Sequence, residues 1–106
     1  MAEEFLYLTT TGRVTGKPRE IEIWFVEKDG KYYIIAEHRE RADWVKNIAR
    51  NLYIHARVGS AAFDATARVL DAERDQDAYR IAQKMMTEKY GWGDGLPVEI
   101  APYPTC

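Results

Sequence analysis

The chain has 106 residues, of which 46% are hydrophobic and 30% charged, and its formal net charge is −2. This size predicts one domain spanning residues 1–106, and the acidic balance argues against a general binder of nucleic acid or of anionic membranes. The only cysteine, Cys106, has no partner for an internal disulfide or a metal site. The acidic start and the lack of a long apolar run predict a cytoplasmic protein.

The first half of the chain alternates apolar and polar residues with a period of two, which indicates half-buried strands. A strand-like run precedes Gly12, residues 19–27 alternate, and residues 31–37 are rich in aromatic and β-branched side chains. Between the last two segments, Asp29-Gly30 predicts a tight hairpin, because both positions tolerate positive φ. Trp24, on an otherwise polar strand face, is predicted to be an interface or pocket residue.

Two later segments, residues 41–51 and 73–90, have helical rather than strand periodicity. In each, the apolar side chains recur on one stripe of a helix, and Met85 and Met86 on the second stripe are expected in the core. Asp71 is the predicted cap of the second helix, because a short carboxylate can accept the first free backbone N–H groups.

The remaining segments complete an antiparallel β arrangement. Residues 53–58 and 61–70 predict another hairpin, in which His55 is an exposed or half-buried strand residue. Gly91 is the predicted stop of the second helix, and residues 97–101 predict a final edge strand, because proline cannot donate to a strand ladder. Six mostly hairpin-linked strands with two helices predict a mainly β (α+β) fold, an antiparallel barrel with helices at its ends.

The loop between the first two strands gathers three positive charges. Arg13, Lys17 and Arg19 are the only charged residues between Glu4 and Glu20, in the sequence "TTTGRVTGKPRE". Taken alone, they fit either solvated charges on a hairpin loop or a site for an anionic ligand, to which two glycines allow close backbone approach.

The ordered succession of segments resembles the deazaflavin-dependent nitroreductase family. The resemblance extends from Leu8 to about Pro102 and consists of "LTTTGRVTGKPRE", "IEIWFVE", "KDGKYYIIA", "ADWVKNIARN", "AAFDATARVL" and a helix ending in "KYGW". It implies a split β-barrel like that of FMN-binding proteins, a homodimer, and a flavin-type cofactor. In many members that cofactor is the 8-hydroxy-5-deazaflavin, coenzyme F420.

The resemblance assigns the three loop cations to the anionic half of the cofactor, which carries a phosphodiester and a polyglutamate tail. Arg13 and Arg19 are expected to hold phosphate oxygens bidentately, and Lys17 adds a compact point charge. In this interpretation the cations belong to a cofactor-binding loop.

The resemblance also implies a site for the deazaflavin ring. Trp44 and Asn47, at the start of the first helix, are expected to border the ring. His38 lies in a loop that is shorter and more charged than the Gly-rich, His-Pro-containing loop of many members. Tyr90 and Trp92 are expected to cover the ring, with Tyr90 and His38 as the candidate catalytic groups; closing the barrel end or the dimer seam is the alternative for the aromatic pair.

These features predict an oxidoreductase that transfers a hydride from reduced F420 to a small electrophilic acceptor such as a quinone, nitro compound or enone. The sequence has no Ser-His-Asp order and no nucleotide-type phosphate loop, as expected where the cofactor performs the difficult step. An FMN- or haem-binding protein of the same fold, or a cofactor carrier, is the alternative. A third possibility is a non-enzymatic module whose cations, including Lys46, Arg50 and Arg57, bind an acidic partner.

Overall fold

The computed structural model describes residues 5–103, so Cys106 lies outside the described residues. Six strands and two helices follow one another in the predicted order: β1 Phe5–Thr11, β2 Pro18–Lys28, β3 Lys31–Ala36, α1 Asp43–Arg50, β4 Tyr53–Val58, β5 Ala61–Val69, α2 Gln76–Tyr90 and β6 Leu96–Pro102. A short 3-10 turn, Arg39–Arg41, precedes α1. The predicted fold class, an antiparallel barrel with two helices, is confirmed.

The six strands close into one antiparallel barrel in the order β1-β2-β3-β6-β5-β4, and β4 pairs back with β1. Because β6 pairs with both β3 and β5, the prediction of a final edge strand is wrong. The Pro97 carbonyl accepts a hydrogen bond from the Leu70 N–H at 3.0 Å, just beyond the last β5 pair, Val69 with Val98. An N–H at position 97 would point toward the β5 side, as the Pro97 carbonyl does. The proline therefore lies where the hydrogen-bonded pairing with β5 has already ended.

Two clusters of apolar side chains hold these elements together. The barrel interior is filled by alternate strand residues, among them the fully buried Leu6, Leu8, Ile34, Ala56, Ala65, Val98 and Ile100. The second cluster lies between α2 and the outer face of the barrel and contains Val26, Tyr33, Ile35, Leu70, Ala82 and Met86. Alternation along β2 and β3 thus serves both clusters, one on each face of the strand.

Residue chemistry at the turns and helix ends explains most element boundaries. Asp29 (φ 53°) and Gly30 (φ 78°) form the predicted hairpin turn, and α2 ends at Gly91 (φ 80°), as predicted. However, α2 begins at Gln76 rather than at residue 73. The Asp71 carboxylate accepts hydrogen bonds from the backbone N–H groups of residues 73 and 74, at 2.8 and 3.0 Å. It therefore caps a separate turn before the helix. Neither helix within residues 5–103 is long and apolar enough to span a bilayer.

Candidate functional site

A groove beside α1 consists of two adjoining compartments. The apolar compartment, about 510 Å³, is lined mainly by aromatic and aliphatic side chains from β1, β2, β3, α1, α2 and the segment after α2. The polar compartment, about 860 Å³, is lined by the β1–β2 loop, the start of β2 and α1. Four residues line both: Ile21, His38, Ala42 and Trp44. The two compartments therefore adjoin along these four residues.

The apolar compartment contains all three tryptophans of the chain, Trp24, Trp44 and Trp92. Trp24 stacks on Tyr90, with ring centroids 4.5 Å apart and planes 6° from parallel, and its centroid lies 6.5 Å from that of Trp92. The structure places Trp24 in a pocket wall, one of the two positions predicted for it. Met86, expected in the core, is buried and also lines this compartment.

Tyr90 lies behind Trp24 and lines neither compartment. Its hydroxyl accepts a hydrogen bond from the Phe25 N–H at 3.3 Å and donates one to the Phe25 carbonyl at 3.1 Å. Lys89 Nζ donates to the same carbonyl at 2.9 Å. Within the described residues, pairing of β1 with β2 ends at Phe5 and Trp24. At the next residue of β2, Phe25, side chains from the end of α2 bind the backbone instead.

The β1–β2 loop of the polar compartment is closed by its own backbone. The Gly12 N–H donates to the Lys17 carbonyl and the Gly16 N–H to the Gly12 carbonyl, each at 2.8 Å. Gly16 has a φ of 74°, and a Cβ on Gly12 would lie 3.1 Å from the Lys17 carbonyl oxygen. The turn therefore favours glycine at position 16 for its positive φ and at position 12 for the close approach of the backbone.

Arg13 fixes this loop to α1. Its Nη1 donates to Asn47 Oδ1 at 2.9 Å, its backbone N–H reaches the same oxygen at 3.2 Å, and its Nη2 lies 3.4 Å from Asp43 Oδ1. Asn47 is 4% exposed, and its Nδ2 donates to Thr10 Oγ1 at 3.2 Å. Asn47 thus lines the polar compartment at a point where its amide already binds two neighbours.

The other two loop cations are placed differently. Arg19 lines the polar compartment, whereas Lys17 lies outside its lining. Both side chains are exposed, and neither forms an ion pair with another residue of the range 5–103. Arg19 is therefore the cation at this groove whose charge is most available to a ligand.

His38 lies where the two compartments meet. It is exposed, and its carbonyl accepts the Arg41 N–H at 3.0 Å as the 3-10 turn begins. The next residue, Arg39, has a φ of 52°, and its Nη1 donates to the Tyr79 hydroxyl at 3.3 Å. This hydrogen bond raises the pKa of Arg39, so the guanidinium stays charged.

Other titratable clusters lie away from the groove. His55 is exposed on β4, as predicted, with its Nδ1 3.1 Å from Asp64. Glu99 is buried beside Tyr33 and Arg68 on the outer face of the barrel. Burial, and then the nearby Glu99 carboxylate, raise the pKa of the Tyr33 hydroxyl. Among residues 5–103, no group of three or more His, Cys, Asp or Glu side chains is arranged to hold a metal ion.

The sequence matches the F420H(2)-dependent quinone reductase family over residues 1–101. The chain belongs to this family. Membership confirms the predicted oxidoreductase class, the predicted cofactor, coenzyme F420, and the resemblance on which both predictions depended.

Solved structures support the assignment of the chain to this family. An F420-H2 dependent reductase, FDR-A, is 26% identical; the match covers 94% of this chain and 95% of that chain, with a TM-score of 0.70. A structure described as a domain-swapped dimer is 27% identical over 94% of this chain and 81% of that one, with a TM-score of 0.67. HutZ, the heme storage protein from Vibrio cholerae, is 18% identical over 97% and 84%, with a TM-score of 0.78, and shows the shared fold alone.

The groove of this reductase fits a ligand with a flat ring and an anionic tail. Its aromatic part is joined directly to a part that carries Arg13 and Arg19. Of the residues predicted from the sequence, His38, Trp44 and Trp92 line the apolar part, and Arg13, Arg19 and Asn47 the polar part. Lys17 and Tyr90 line neither. The sequence interpretation missed Ile23 and Ile35, because the periodicity marked them only as apolar strand residues and gave no sign that they border a cavity.

Proposed function

We propose that this reductase binds reduced F420 along the groove and transfers a hydride to a quinone or another small flat electrophile, such as a nitro compound or an enone. The ring lies in the apolar compartment and the phosphate-bearing tail in the polar compartment. The observation that carries the proposal is that the two compartments adjoin and share His38 and Trp44 in their linings. A ring and a tail joined by one linker require such adjoining compartments.

The three cations of the loop have different roles in binding the tail. Arg19 is exposed in the polar compartment and presents a guanidinium fork that suits phosphate oxygens. Arg13 contributes less charge, because Asp43 lies 3.4 Å from its Nη2, and it mainly keeps the loop on α1. Lys17 is exposed outside the groove lining, and we assign it to the more distant carboxylates of the tail.

The apolar compartment orients the reactants and excludes water. When bound, the reduced deazaflavin supplies the hydride. The acceptor must lie flat against the donor within direct reach, and Trp24, Trp44 and Trp92 provide flat walls for such stacking. A quinone that takes up a hydride also needs one proton to become a hydroquinone. His38, at the junction of the compartments, is the proposed donor of that proton.

We further propose that the reductase is a homodimer. A domain of this size builds a deep private pocket with difficulty, and the groove is open to solvent along its length. The domain-swapped dimer among its structural relatives supports the same arrangement. Light scattering at micromolar concentration tests this proposal, and a monomeric mass would contradict it.

Absorption titrations test the cofactor. The purified protein is titrated in turn with F420, FMN and haem, and the strongest spectral change and tightest binding are expected for F420. Reduced F420 with the protein is then mixed with a soluble quinone, and its oxidation is expected to be faster than without the protein. Preferred binding of FMN or haem would favour the alternative cofactors, and tight F420 binding without oxidation by any acceptor would favour a carrier.

Two substitutions separate the candidate proton donors. His38→Gln is expected to lower kcat for the quinone while leaving the free energy of unfolding unchanged, because the side chain is exposed. Tyr90→Phe removes the hydroxyl that holds Phe25 and is expected to cost about 1 kcal/mol of stability without lowering kcat. A lower kcat for Tyr90→Phe at unchanged stability would instead make Tyr90 the catalytic group.

A further inference from the structure

The backbone of Arg39 is held in a conformation that residues with a Cβ rarely adopt. Its φ of 52° lies in the left-handed region, and it follows directly after His38, at the junction of the compartments. Such a conformation persists only where other contacts hold it. Here the guanidinium supplies them, with Nη1 3.3 Å from the Tyr79 hydroxyl and Nη2 3.4 Å from Asp94 Oδ1.

These contacts join two sides of the apolar compartment. On one side, Glu37, His38 and Ala42 line it from the loop that contains Arg39. On the other side, Trp92 lines it from the short segment that contains Asp94. That segment packs closely on β3, since a Cβ on Gly95 would lie 2.6 Å from the Ala36 carbonyl oxygen. A change in the width of the compartment at this edge is therefore easier from the loop side.

We propose that the Arg39–Asp94 bridge sets the width of the apolar compartment and thereby the size of acceptor that it admits. The inference rests on the proposed function, in which the acceptor enters this compartment. The side chains of Arg39 and Asp94 are 47% and 88% exposed. An ion pair so exposed is weak and easily screened, so the compartment exchanges between a bridged form and a wider one.

The chain's own fluorescence reports on this width without any cofactor. Its only tryptophans, Trp24, Trp44 and Trp92, all line the apolar compartment, so quenching by neutral acrylamide measures access to it. Asp94→Asn breaks the ion pair and leaves the Tyr79 contact of the guanidinium in place. It is expected to raise the bimolecular quenching constant about two- to fivefold, the population shift typical of an exposed ion pair. Added salt should raise the wild-type constant toward that of the variant.

A matched control is Lys28→Ala, which removes another exposed ion pair, with Asp29 at 3.0 Å, outside the compartment lining. It should leave quenching unchanged. Tyr79→Phe, which removes the other contact of the guanidinium, should shift quenching in the same direction as Asp94→Asn. Identical quenching constants for wild type and Asp94→Asn at low salt would overturn the proposal.

Acceptor size gives the second measurement. With F420 bound, Asp94→Asn should lower KM for bulky quinones more than for small ones, with little change in kcat, and an unchanged size preference would contradict the proposal. The two proposals fail separately. If the variant is quenched faster but the wild type reduces no quinone, the bridge stands and the proposed function falls. If quinones are reduced and quenching does not change, only the bridge falls.

Discussion

The two compartments of the groove are built in different ways. The apolar compartment draws its walls from three strands, both helices and the segment after α2, and its aromatic wall is stacked and hydrogen-bonded from behind by Tyr90. The polar compartment depends mainly on one loop, which closes on itself and is attached to α1 by Arg13. Residues of the first region therefore contribute to the stability of the fold, whereas charges of the second can change with little effect on folding.

The largest expected effect is on the apolar side. Met86 is 1% exposed, lies between α2 and the barrel, and lines the apolar compartment. Met86→Ala is expected to lower the free energy of unfolding by about 2–5 kcal/mol in urea titrations and to weaken cofactor binding as well. Met85→Ala, the neighbouring half-buried methionine outside the groove lining, is the control and should cost less. Equal losses would mean that the apolar compartment does not depend on this packing.

Loss of a loop cation is expected to weaken cofactor binding and to leave the stability of the fold unchanged. Arg19→Ala is expected to weaken F420 binding by about 1.5–3 kcal/mol, or tenfold and more, because a charged hydrogen bond is lost. Arg13→Ala should also weaken binding, through the loop that it attaches to α1. The urea midpoint of Arg19→Ala should match that of the wild type, because exposed charges contribute little to stability.

The loss for Arg19→Ala should shrink at high salt, where the wild-type contact is already screened. Lys46→Ala, which removes an exposed cation of α1 outside the groove lining, is the control and should leave affinity unchanged. Unchanged binding by both arginine variants would mean that the cations are only a solvated loop.

A smaller effect, of opposite sign, is expected for Asp43. Its carboxylate lies 3.4 Å from Arg13 Nη2 and competes with a phosphate for that guanidinium. Asp43→Asn should strengthen F420 binding about two- to fivefold at low salt, because the pair is exposed and each charge is only partly screened by the other. Isothermal titration calorimetry measures the change. Weaker binding would show that Asp43 mainly positions Arg13.

The smallest effect concerns pH and lies outside both compartments. The hydrogen bond from Arg68, at 2.7 Å, lowers the pKa of Asp75, and the backbone N–H groups of Arg74 and Glu73 lower that of Asp71. Each folded-state pKa is below the ordinary value of 3.8. The stabilisation is therefore complete above that value and is lost as the pH falls through the folded pKa.

Urea midpoints measured from about pH 5 down to pH 2 follow this loss. The midpoint of the wild type should fall more steeply with acid than that of Asp75→Asn, which has no carboxylate to protonate at this position. Asp77→Asn, which removes an exposed carboxylate in the first turn of α2, is the control. Parallel acid curves for wild type and Asp75→Asn would contradict the assignment of this stabilisation to the Arg68–Asp75 pair.

Features set by local chemistry were predictable from the sequence. Asp29-Gly30 and Gly91 were found because a positive φ restricts the choice of residue, and the loop cations were found because they stand together in the chain. Asp71 was correctly predicted to be a cap but was assigned to the helix instead of the turn before it. An aspartate before a helical stripe does not show at which residue the helix begins.

Features that depend on distant contacts were not predictable. The pairing of β6 with β3 has no local signal, so β6 was taken for an edge strand. Asn47 was selected for the cofactor, yet its amide holds Arg13 and Thr10, which are far from it in sequence. Tyr90 was selected as an aromatic near the ring, and only the folded structure shows its hydroxyl bound to the backbone of Phe25. The assigned roles of these residues remain predictions.

The position of β6 between β3 and β5 has a consequence for how the chain acquires its structure during synthesis. Until residues 96–102 have emerged from the ribosome, β3 and β5 each have one unpaired edge, and such edges are ready templates for pairing with other chains. The barrel therefore closes only when its last strand arrives. A nascent chain that stalls before this point exposes two unpaired strand edges at once, and we expect it to need chaperone binding to avoid aggregation.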